Sequence, residues 1–188
     1  MTELHGSNTG SADTRPKAPV RLCPLAAIGS ILLAAVIPVA AGWAVLGSTP
    51  EQLAVATGLR PAGPIELPDA RAAIVAGLLW LPALLAARAL VLLSRTFVAL
   101  GARRAFEPTT YRMLQGFALW LAASVVLGIP ARMIGSLVIG GAMPGGPSLA
   151  IRLGTPDLFT VGVALLAYVL ADALTAACAV AAENRQFV

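Results

Sequence analysis

Residues able to carry acid–base, nucleophilic or metal chemistry are few and scattered. The one histidine, His5, lies in a polar N-terminal stretch, and Cys23 and Cys178 stand near opposite ends of the chain. No Cys-x-x-Cys pair and no His/Cys/Asp/Glu group has metal-ligand spacing, so no cofactor or metal is expected. Gly-x-Ser-x-Gly, P-loop and dinucleotide fingerprints are absent from the sequence,. The glycine-rich stretch 140–146 has no Lys-Ser/Thr after it to hold phosphates. These residues predict no enzyme. What remains is Arg88 and Asp172, the two ionisable residues inside otherwise apolar runs. An isolated charge near mid-bilayer costs about 2.5–3.5 kcal/mol on insertion scales. At ~1.5 Å rise per residue, Arg88 lies about 24 Å inward from Ala72, and Asp172 about 21 Å inward from Leu158. Both runs enter from the same side, so Arg88 and Asp172 are a candidate intramembrane ion pair. The competing reading has Arg88 snorkelling to the inner interface while Asp172 begins a helical extension. A proton relay would need further titratable groups, and the span interiors hold no other Asp, Glu, Lys or His.

The elements that must position these two residues follow from composition. Of 188 residues, 58% are hydrophobic and 12% charged, against roughly 45–50% and about 25% in soluble chains. Mean hydropathy is +0.84. So few charges cannot cover a water-exposed surface, and the chain reads as an all-α, four-transmembrane-helix bundle. About 20 apolar residues cross a bilayer core, and four uncharged or nearly uncharged runs meet that length, with spans at about 24–46, 70–94, 113–131 and 158–180. The first run exceeds a signal-peptide core and follows a polar segment, so it reads as an uncleaved span. Pro68-Asp69 and Thr155-Pro156-Asp157 look like helix starts, the second with Thr155 as cap.

Two units result, a disordered tail over 1–21 and a membrane domain over 22–188. The net charge of +4 arises from 13 basic and 9 acidic residues. With the N-terminus inside, Arg15, Lys17, Arg21, Arg88, Arg95, Arg103, Arg104, Arg112 and Arg185 fall on the cytoplasmic side, nine against four. Both termini are therefore expected in the cytoplasm. These arginines flank apolar runs and contact anionic lipid, with no nucleic-acid binding expected. In the outer loop, Thr49-Pro50-Glu51-Gln52 marks a short capped helix lying on the membrane and ending near Gly58. Met133–Met143 reads as a re-entrant or interfacial hairpin, closed by Pro144-Gly145-Gly146-Pro147. Gly162, Ala164, Ala167 and Ala171 are small enough for close packing, within the bundle in preference to a homodimer. Trp80 and Trp120 fall mid-run and read as packing residues; Trp43 could anchor at an interface.

The connector between spans two and three has a pattern of its own: Arg103-Arg104-Ala105-Phe106, then Glu107-Pro108-Thr109-Thr110-Tyr111-Arg112-Met113-Leu114. With the tail Ala182-Glu183-Asn184-Arg185-Gln186-Phe187-Val188, it resembles the DUF2975 family of small bacterial membrane proteins, over roughly residues 75–188. Thr110 and Gln115 depart from the Asn and Arg usual there. The resemblance implies a four-helix protein of the bacterial inner membrane, with signalling or regulator tethering suggested by association with helix-turn-helix regulators. The leading expectation is a non-enzymatic protein binding a cytoplasmic regulator, with Arg95, Arg103, Arg104, Phe106 and Arg112 as partner or lipid contacts. The alternative is a small carrier or lipid-binding protein using a cavity near Arg88 and Asp172. Membrane lipids are expected partners in either case.

Overall fold

The computed structural model describes residues 22–61, 63–102, 107–143, 146, 149–151 and 153–184. Residues 1–21, and with them the expected disordered tail, lie outside the described residues. So do Pro144, Gly145 and Pro147 of the expected breaker. The described residues form five helices and no strand: α1 (Leu22–Leu46), α2 (Pro50–Thr57), α3 (Asp69–Gly101), α4 (Pro108–Gly140) and α5 (Thr155–Asn184). Four of them, all but α2, are long and apolar enough to cross a membrane,. Only 11% of the most apolar stretch of α1, α3 and α5 is buried inside the protein, against 33% for α4. Leucines, isoleucines and valines thus face outward along most of the surface. Such a surface is stable in lipid and would not be in water.

α3 and α4 are the inner helices of a row of four, and α4 is the more buried of the two. α1 packs on α3, α3 on α4 and α4 on α5, while α1 and α5 share no packed interface. Successive helices run antiparallel, so α1 begins and α5 ends on one side, here the terminal side, opposite the α2 side. Small residues set the register. A Cβ added at Gly101 would lie 3.3 Å from Cys23 Cβ, and one at Gly116 would lie 3.1 Å from Leu92 Cδ1. Polar tethers support the same register: Ser94 Oγ of α3 donates to the Ala27 carbonyl of α1 at 3.0 Å. Trp80 Nε1 donates to the Pro38 carbonyl at 2.7 Å, and its indole lies across Gly42. In lipid such bonds satisfy groups that water cannot reach.

α4 corrects the sequence reading of its region. The third helix does not end at Pro130. It continues through Arg132 to Gly140, so Met133–Gly140 is the end of a spanning helix and not a hairpin. Proline in a membrane helix costs one i→i−4 bond, here to the Val126 carbonyl, and neighbouring helices make that tolerable. The start of α5 is also shifted. The Gly154 carbonyl accepts from the N–H groups of Asp157 at 3.0 Å and Leu158 at 3.3 Å. Gly154, and not Thr155, therefore occupies the cap.

The expected short helix is present as α2. Thr49 caps it, Gln52 reaches back to the Thr49 N–H at 3.1 Å, and Gly58 ends it at φ 97°, the left-handed conformation glycine adopts freely. α2 does not merely rest on a membrane surface. Leu53 and Ala54 are buried with Leu59, Ile65, Val75 and Ile139 in a small core that joins α2, the following loop, α3 and α4. Close approach at one point makes this possible. A Cβ at Gly135 of α4 would lie 2.8 Å from Thr57 Cγ2.

Candidate functional site

The geometry of α3 and α5 separates Arg88 from Asp172. Ala89 and Ala171 are fully buried, in one cluster with Leu114 and Phe117 of α4. Arg88 precedes Ala89 and Asp172 follows Ala171. A single step turns an α-helix by roughly 100°, so each charge is rotated off the packed face. Both are exposed, and no ion pair joins them among the described residues. The sequence reading considered depth and not rotation, and the candidate pair is not formed among the described residues, which agrees with the competing reading. Of the remaining expected contacts, Arg95 near the end of α3 and Arg112 near the start of α4 are exposed. Arg103, Arg104 and Phe106 lie outside the described residues.

An ion pair among the described residues lies elsewhere. Arg132 Nη2 donates to Asp157 Oδ2 at 2.9 Å, with the two side chains 25% and 17% exposed. The same carboxylate oxygen accepts the backbone N–H of Gly154 at 2.9 Å, which fixes Asp157 in the first turn of α5. Arg132 lies between Gly128, which faces Pro82, and Gly135, which faces Val75. The pair is thus level with residues 75–82 of α3, roughly 5–15 Å inward from Ala72 at ~1.5 Å per residue. Charge at that depth is tolerated when it is paired and faces protein.

Arg132 and Asp157 line a groove bounded by α3, α4 and α5, with a volume of about 330 Å³. Pro82, Ala83 and Ala86 form the α3 wall, Leu121 and Val125 the α4 wall, and Thr160 of α5 completes it beside the ion pair. Ser124 and Thr160 add hydroxyls, although each already donates within its own helix, to Leu121 and Pro156. The groove exists because α5 packs on α4 and forms no extended interface with α3. Towards the terminal side, the cluster of Ala89, Phe117 and Ala171 closes it.

The sequence reading counted Arg132 as a loop arginine and Asp157 as a helix-start acid. Their partnership could have been found only by continuing α4 past Pro130. Among the described residues no group of three or more His, Cys, Asp or Glu could hold a metal ion. No family model, curated protein or solved structure matches the chain.

Proposed function

We propose that this chain is a non-enzymatic multi-pass protein of a bacterial inner membrane, related to the DUF2975 family, that engages a cytoplasmic partner at its terminal side. The observation that carries the reading is the state of Arg95 and Arg112. They stand exposed near the adjoining ends of α3 and α4, and neither has a hydrogen bond or ion pair among the described residues. Unneutralised guanidinium groups at a helix-pair end suit an acidic protein surface, and anionic headgroups contact the same groups when no partner is bound. The arginine bias of the sequence supports a cytoplasmic position for this side. The carrier alternative has less support, because Arg88 and Asp172 are both exposed and form no ion pair among the described residues.

In-cell crosslinking tests the proposal. A photoreactive residue at Ala102, exposed just beyond α3, reports what approaches the connector. The reading expects one dominant soluble protein whose capture is lost in Arg95→Glu/Arg112→Glu. Crosslinks to lipid and to other copies alone would refute it.

A further inference from the structure

The groove beside Arg132 differs in character from the hollow between α1 and α3. The hollow between α1 and α3, lined by Gly42, Val45, Ala73, Gly77 and Trp80, is apolar throughout, whereas this groove has apolar walls and a charged end. We infer that it is a binding site for an anionic phospholipid, with one acyl chain against Pro82, Ala83, Ala86, Leu121 and Val125 and a phosphate oxygen accepting from Arg132.

Three features argue for this occupant. The first is size and access. A volume of about 330 Å³ is at the lower end of the roughly 300–1,000 Å³ of ligand pockets, room for a segment of one chain and not a whole lipid. Because α3 and α5 are not packed together, the groove lies between two membrane helices, where acyl chains are the surrounding solvent. The second is donor surplus. A guanidinium carries five N–H donors. Arg132 uses one, on Asp157, and its side chain, 25% exposed, has further N–H groups with no acceptor among the described residues. A phosphate presents oxygens suited to that fork.

The third is the sign of the charge. Arg132 and Asp157 cancel, and Asp157 also serves the Gly154 N–H. The first turn of α5 adds a partial positive charge beside them. The balance favours an anion over a headgroup that brings its own ammonium.

The test uses the full chain, purified in mild detergent and given phosphatidylglycerol or phosphatidylcholine with identical chains. Native mass spectrometry counts retained lipid, and a phosphatidylglycerol with a mid-chain diazirine maps the contact. The inference expects several-fold preferential retention of phosphatidylglycerol and labelling of α3, α4 and α5 residues that line the groove. Ala86→Leu fills the groove while leaving the ion pair intact, and it should abolish the labelling. Arg132→Gln should remove the headgroup preference, while Arg71→Gln, an exposed arginine nearer the start of α3, should not. Equal retention of the two lipids overturns the inference. So does labelling outside the groove, or labelling that survives Ala86→Leu in a variant with an unchanged helical spectrum.

Discussion

Arg132 Nη2 and Asp157 Oδ2, 2.9 Å apart, form the polar tie between α4 and α5. The rest of that interface sets small residues of α5 against larger apolar side chains of α4, Leu114 and Phe117. Ala164 and Ala171 are buried and Ala167 packs on the cluster below the groove. Gly162 is on the opposite face, where an added Cβ would meet nothing within 4 Å. The repeated alanines of α5 allow close approach but offer alternative registers, since neighbouring alanine positions look alike. A charged pair at one level makes the register specific, because any slip leaves an arginine and an aspartate unpaired in lipid.

Gly135 has little room for a side chain. Its Cβ would come within 2.8 Å of Thr57 Cγ2, in the buried contact between α4 and α2. Gly135→Ala should destabilise the protein by about 1–3 kcal/mol through overpacking. Thr57→Ser removes the obstructing methyl and keeps the hydroxyl that bonds the Ala54 carbonyl. Thermal unfolding in detergent should show Gly135→Ala largely tolerated in the Thr57→Ser background. Equal losses in both backgrounds would show that this contact is not tight.

Glu51 links α2 to the loop that follows it. Its Oε1 accepts from the Ile65 N–H at 3.2 Å. Its own backbone N–H, then the Thr49 hydroxyl, then Ile65 hold its carboxyl below the ordinary value of 4.5. A carboxyl lowered in the folded state contributes stability that is present above its unfolded value and is lost as pH falls through the folded one. Acidification from about pH 4.5 downward should therefore weaken the α2 region. Glu51→Gln should unfold with less pH dependence in that window. Parallel pH profiles for the two proteins would contradict the assignment.

Arg88 and Asp172 should behave as independent surface charges. Each is exposed beside a buried alanine, where a long side chain can reach the interface. The effects of Arg88→Gln and Asp172→Asn on stability should add within about 0.5 kcal/mol, as for residues that share no partner. A larger interaction in the double variant would mean that the two meet in the membrane.

Legibility divides along physical lines. Four spanning helices were readable because a bilayer demands long apolar runs, and α2 was readable because Thr49, Gln52 and Gly58 form local caps. The end of α4 was not readable. Pro130 and Arg132 look like a stop in isolation, and only packing against α3 and the pairing with Asp157 make them helix interior. The cap of α5 shifted from Thr155 to Gly154 because Asp157 reaches back to the Gly154 N–H. The relation of Arg88 to Asp172 was left open for a different reason. Depth along a helix can be counted from sequence, but the rotation of one helix against another is fixed by which faces pack. Buried Ala89 and Ala171 mark those faces. Nothing in the sequence distinguished them from the many other alanines.

The central claim is that Arg132 and Asp157 are partners within the membrane-spanning part of the fold. Unfolding free energies for Arg132→Gln, Asp157→Asn and the double variant measure it directly. A partly buried charged pair in lipid should show a coupling of about 1–2 kcal/mol, above the typical value for polar contacts between membrane helices. Each single variant should then lose nearly as much stability as the double. Strictly additive losses would mean that the two residues act separately, and the assignment of this pair as the tie between α4 and α5 would fail.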